Sequence, residues 1–288
     1  VRYRVLRVEM LHSIIERCIV VHCIVFLSLT YQPQALEDFC PSVDSRYPSV
    51  PCIADNFSPL NIKNIKPFQN KHYQETGVLL CPGRSMDKYI HKKVDRFNTS
   101  VIVASVNSGI YAPFAVDYMF IRHFFPDKHD AALTGYLKNK KAYKDFRGKL
   151  FLSVDNMPES WSILSRKEVK RSGALPFHSM NTRKLSKNIG EYNFGGCCST
   201  IFLPFQFLLY SGIQTLYLVG CDADRNGYTK SHKSLRNQKN KGSYSSILRM
   251  WKFSYHWASA NYPNVKIIVL NPRGLRDLGW EEWQSKYI

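Results

Sequence analysis

The chain has 288 residues, 44% hydrophobic and 22% charged, which is enough apolar material for one large α/β domain with a substantial core and excludes a disordered chain. Its 40 Lys and Arg against 22 Asp and Glu leave a net charge of +18, which gathers nucleotides, phosphorylated sugars, acidic glycans, nucleic acid or anionic lipid without choosing among them. The 8 cysteines contain no CxxC pair and no Cys/His spacing of the zinc-binding kind. Cys81, Cys197, Cys198 and Cys221 fall in or beside predicted core elements and read as small hydrophobes. Cys40 and Cys52 lie in a Pro-rich polar stretch and would suit a disulfide in an exported chain.

Residues 1–31 place Arg2, Arg4, Arg7 and Arg17 ahead of the apolar run Cys18 to Tyr31. They read as a leader, a weak membrane anchor or a helix packed on the domain, the run being shorter than the ~20 residues of a spanning helix. The protein would then be cytoplasmic or membrane-associated, in a lumen of the Golgi type if residues 1–31 are an anchor. Residues 32–71, with Pro33, Pro41, Pro48, Pro51, Pro59 and Pro67, read as a linker or surface wrap. Residues 72–288 then form the main domain.

Its first strand is expected over Gly77 to Cys81, broken by Pro82-Gly83-Arg84-Ser85 before a helix from Met86 to Arg96. A strand, a Gly-containing turn and a helix offer backbone N–H groups to a phosphate. Further buried strands are expected over Ser100 to Val106, ending at Asn107, over Asp117 to Ile121, and over Leu150 to Val154. The span 127–190 is otherwise basic, with Arg166, Lys167, Lys170, Arg171, Arg183, Lys184 and Lys187, and reads as an insertion or small lid.

Gly195 and Gly196 introduce Cys197, Cys198, Ser199 and Thr200, and an apolar helix follows from Ile201 to Tyr210, with Pro204 tolerated near its first turn and Gly212 as a left-handed stop. Ser199 and Thr200 are helix caps or ligand contacts. Thr215 to Val219 is an unbroken strand that delivers Gly220, Asp222, Asp224, Asn226 and Tyr228. Residues 229–243 are a polar loop containing His232, and a Trp-bearing helix from Tyr244 to Ala260 leads to a last strand, Val265 to Leu270, and Asn271. Strands that each end in polar residues, with helices between them, predict a Rossmann-like, doubly wound, mostly parallel sheet with its site along the strand C-termini.

With these motifs in place, the chain resembles the sialyltransferase-like glycosyltransferases, particularly the bacterial lipooligosaccharide family, and more distantly the archaeal pterin pyrophosphokinase-like proteins. The resemblance runs from about Gly77 to Gly274 and is strongest over 195–228. It implies a nucleotide-sugar site made by Gly83, Arg84, Ser85, Asn107, Ser199, Thr200, Asn226 and Asn271, a nucleotide-sugar donor and a glycan acceptor. A CMP-linked acidic sugar is the favoured donor, with a UDP-sugar as competitor. Glycosyl transfer with inversion needs a base, for which His232, Asp222 and Asp224 are candidates, and stabilisation of the leaving phosphate, for which Tyr228 and Tyr244 are candidates. The family turn carries Gly and Pro where this chain has Cys81 and Arg84.

Asp222-Ala223-Asp224 also has the DxD spelling that holds Mg²⁺ or Mn²⁺ on a nucleotide diphosphate, while the resemblance implies no metal; the competing structural reading is turn formation by two carboxylates. Two rival readings are a pterin pyrophosphokinase using ATP and Mg²⁺, and a basic nucleic-acid-binding protein. The second is disfavoured because the lysines are not interleaved with aromatics in a recognised module.

Overall fold

The computed structural model describes residues 57–86, 101–106, 116–122, 146, 148–153, 173–180, 182–224 and 244–283. The leader reading for residues 1–31, Cys40 and Cys52, most of the helix expected after Met86, and Asn107, Asn226, Tyr228 and His232 lie outside them.

Eight strands form one sheet: β1 (Thr76–Leu80), β2 (Val101–Val106), β3 (Tyr118–Ile121), β4 (Lys149–Ser153), β5 (Leu175–Phe177), β6 (Thr215–Val219), β7 (Lys266–Leu270) and β8 (Glu281–Trp283). Their order is β5-β4-β3-β2-β1-β6-β7-β8, and every neighbouring pair is parallel. The sheet is the Rossmann-like, doubly wound α/β arrangement expected from the sequence. From β1 the chain winds outward through β2 to β5, then returns to lay β6 against the other side of β1 and winds outward again. The β1/β6 boundary is therefore the topological switch point, where open α/β sheets leave a crevice beyond the strand C-termini.

The strands read as continuous apolar runs because alternate residues are buried on opposite faces. Leu79, Ala104, Tyr118, Phe120, Phe151 and Leu218 enter one core, and Val78, Leu80, Val103, Met119, Leu152 and Val219 the other. Helix α2 (Phe202–Tyr210) covers the first face across β1, β2 and β3, and all of its residues are buried. Phe207 lies against a cluster in which Phe120 stacks on Phe151 with centroids 4.7 Å apart. Helix α3 (Tyr244–Asn261) joins β6 to β7 and adds Trp251, packed on Phe202 and Phe205. Pro204 occupies the first turn of α2, where its missing N–H costs least, and Gly212, at φ 89°, stops the chain and turns it toward β6.

Two regions are more ordered than their composition suggests. The part of the expected linker at 57–71 includes α1 (Pro59–Asn64), capped by Ser58, whose hydroxyl accepts from Asn61 N at 3.1 Å. The fully buried Asn61 side chain accepts from His178 N and donates to the carbonyls of His178, Ile189 and Tyr192, fastening α1 to the end of β5. Within the basic span 127–190, β5 joins the sheet beside the expected strand β4. Among the described residues, no helix is long and apolar enough to cross a membrane.

Candidate functional site

The turns after β1, β6 and β7 meet at the switch point. Ser85 N donates to Asp222 Oδ2 at 2.7 Å, and the Ser85 hydroxyl donates to Asp222 Oδ1. The two motifs singled out in the sequence, 137 residues apart, are thus in direct contact. The turns approach so closely that side chains would not fit between them. A Cβ on Gly83 would run into the Gly220 carbonyl and come within 2.8 Å of Asp222 Cγ, and one on Gly220 into the Cys81 carbonyl. Gly83 N donates to Gly220 O at 2.9 Å. From the other side, Gly274 N donates to Asp222 O at 2.8 Å, again across a gap that admits no Cβ.

Cys81 and Cys221 do not act as two separate small hydrophobes. They form a disulfide across the switch point, with Cα atoms 5.2 Å apart, inside the range such a bond spans. The parallel register sets Leu80 beside Val219, so the residues just past both strands are brought together. That pairing depends on register and cannot be read from either segment alone.

Asp222 is 5% exposed. Burial pushes its carboxyl above the usual range, and the neighbouring charge of Asp224 adds to this; the Ser85 hydrogen bonds and Arg273 act in the opposite direction. Arg273, in the turn after β7, stands with Nε 3.9 Å from Asp222 Oδ2 and Nη1 3.4 Å from Asp224 Oδ2, and its side chain is one-third exposed. Arg84 is exposed on the β1 turn. The switch point thus joins a buried carboxylate to the guanidinium of Arg273 from the β7 turn.

The Ser199–Thr200 turn lies on the same edge of the sheet, because α2 runs antiparallel to β6 and starts where β6 ends. It sits nearer β3: Arg122, the residue after β3 and nearly buried, donates to Gly196 O. No hydrogen bond among the described residues joins Ser199 or Thr200 to Asp222. The cap of α2 is Ile201 and has no side-chain cap bond; the Ser199 hydroxyl accepts from Ile201 N at 3.4 Å, and Thr200 is buried. Gly195 and Gly196 are demanded by geometry. A Cβ on Gly195 would collide with the Lys184 carbonyl, and Gly196 has φ 130°. Cys198, expected in or beside a core element as a small hydrophobe, is exposed and sits at φ 68° in a tight turn closed by Ser199 N to Cys197 O. This is the rarer, strained sense of such a turn. A hydrogen bond from Cys198, then Arg183 and Arg122, pull the Cys197 thiol below its ordinary range.

Residues that the sequence did not signal hold this edge together. Gln206, fully buried in α2, donates to Gly195 O at 2.6 Å and Phe202 O at 2.7 Å, and accepts from Ser186 N and Gly195 N. A buried amide in an otherwise apolar helix was the one available clue. Arg273 had none. Lys184, Gly195 and Phe194 line a cavity of about 140 Å³ beside the same turn. Asn271 is buried just past β7 at φ 51°, its N–H bonded to Trp283 O, and Tyr244 opens α3, partly buried.

Fold and site together define an open, all-parallel α/β protein whose polar turns converge at the topological switch point. In comparison with known proteins, no family profile matches the chain, and no curated protein matches it. Among solved structures it is similar to the MAf glycosyltransferase from Magnetospirillum magneticum AMB-1, at 11% identity and a TM-score of 0.47 over 80% of this chain. This chain spans 38% of the length of that one. It is also similar to the sialyltransferase CstII from Campylobacter jejuni in complex with cytidine-5'-monophosphate, at 11% identity, and to a sialyltransferase CST-II structure with a trisaccharide acceptor and CMP, at 12%. Each of these has a TM-score of 0.38, covering 68% of this chain and 80% of the other.

Proposed function

We propose that the chain is a glycosyltransferase that binds a nucleotide-activated sugar at the β1/β6 switch point and passes the sugar to a glycan acceptor. The observation that carries this reading is the convergence of the β1, β6 and β7 turns on Asp222 at the end of the parallel strands. The strand C-termini at a switch point are where doubly wound sheets take nucleotides. The motif resemblance adds the sugar and favours a CMP-linked acidic donor over a UDP-sugar.

In this reading Arg84 faces the phosphate end, and Gly83 and Ser85 shape its turn through their bonds to Gly220 and Asp222. Ser199, Thr200 and Asn271, with Asn107 and Asn226, serve the rest of the donor. Asp222, buried and bound through both oxygens to Ser85, keeps the β1 and β6 turns in register. The base then falls to His232 or Asp224, with Tyr228 and Tyr244 supporting the departing phosphate. The Asp222/Asp224 pair does not fit a divalent ion as it stands: the Asp222 oxygens are already engaged by Ser85, and Arg273 lies against both carboxylates.

The test is thermal unfolding with CMP, UDP, GDP or ATP, with and without Mn²⁺. The expected result is stabilisation by CMP without metal, about 2.7 kcal/mol at a hundredfold excess over Kd. Stabilisation by ATP with a divalent ion alone would favour a pyrophosphokinase, and no response to any nucleotide would overturn the reading.

A further inference from the structure

The charges at the switch point form an unusual pattern. Two carboxylates two positions apart, the spelling expected of a divalent-ion site, are occupied by a guanidinium from the next turn. Arg273 reaches Asp224 at 3.4 Å and Asp222 at 3.9 Å, both at the long end of an ion pair. Asp222 does not need it for hydrogen bonding, because Ser85 supplies both close donors. The side chain is one-third exposed, and its backbone is fixed by the bond from Gly274 N to Asp222 O. A planar guanidinium held along one edge by carboxylates keeps further N–H groups for a second anion, and phosphate matches that fork.

We propose that Arg273 is a phosphate-binding residue of the switch-point crevice, positioned by Asp222 and Asp224 as those carboxylates would otherwise position a divalent ion. The role rests on the nucleotide reading given above, and it assigns to a residue outside every sequence motif the task of neutralising the ligand's phosphate. Glycine at 274 belongs to the same device, since any Cβ there would meet the Ala223 carbonyl and push Arg273 away from the pair.

The experiment is calorimetric titration of the full chain with CMP and with inorganic pyrophosphate, for the unmodified protein and for Arg273→Gln, Arg273→Lys and Asp224→Asn. Thermal unfolding of each variant confirms that it is folded. Arg273→Gln is expected to weaken both probes about tenfold or more, as loss of a charged hydrogen-bond donor does. Arg273→Lys should retain part of the affinity, and Asp224→Asn, which loosens the guanidinium, should weaken it less than Arg273→Gln.

A second readout is Mn²⁺ binding by electron paramagnetic resonance. The unmodified protein should leave Mn²⁺ free, since Arg273 lies against both carboxylates and Ser85 engages both Asp222 oxygens. Folded Arg273→Gln that binds CMP and pyrophosphate as the unmodified protein does overturns the assignment while leaving the nucleotide reading intact. An unmodified protein that binds neither probe overturns both. An unmodified protein that binds CMP only with Mn²⁺ overturns the cation role of Arg273 alone.

Discussion

At the scale of single residues, the site edge depends on side chains that bond rather than react. Gln206 joins α2 to the Gly195 turn and to Ser186, so Gln206→Leu removes its bonds and strands buried N–H and C=O groups. The expected cost is about 3 kcal/mol, measured by urea unfolding, since each orphaned buried group costs roughly 1–3 kcal/mol. Asp222 gives a pH signature. Its folded pKa is raised above the unfolded 3.8, so its protonation favours the folded state. That contribution is fully present below 3.8 and is lost as pH rises through the raised value. Unfolding free energies of the unmodified protein and of Asp222→Asn, compared across this window, should show the pH-dependent loss in the former only.

At the scale of elements, the β1 and β6 turns behave as one unit because backbone meets backbone across them. Gly83→Ala would force the Gly220 carbonyl and Asp222 apart. The expected outcome is a folded but destabilised protein, by about 1–3 kcal/mol as for overpacking of a tight interior, with nucleotide binding lost; thermal unfolding and CMP titration read the two effects separately. The Cys81–Cys221 bond closes a loop of 140 residues. On the chain-entropy account its removal in Cys81→Ala/Cys221→Ala costs about 5 kcal/mol, checked by unfolding under non-reducing conditions and by thiol counting.

The same elements show what the sequence made legible. The five strands β1, β2, β3, β4 and β7 were expected within a residue or so of their bounds, and β6 at its bounds, because a parallel strand buried on both faces is a run of apolar residues. By contrast, β5 and β8 have three residues each, and α1 is a six-residue helix in a Pro-rich stretch, so none offers a period to detect. Ser85 and Asp222 were visible as separate motifs. Their mutual hydrogen bonds, the disulfide beside them and the reach of Arg273 follow from strand order and register, which join segments far apart in the chain.

At the scale of the whole molecule, the eight strands bring their polar ends to one edge, from Arg122 after β3 to Asn271 after β7. Under the proposed function, the net charge of +18 favours an anionic ligand, and binding should weaken as salt screens it. The central claim is that the β1/β6 switch point is where the nucleotide phosphate sits. Amide hydrogen exchange of the full chain with and without saturating CMP tests it most directly. The account predicts added protection in 81–86, 220–224 and 271–275, strongest in the Gly83–Ser85 and Gly220–Asp222 turns. Protection confined to 57–75, or unchanged exchange in all three turns while CMP is bound, would contradict it.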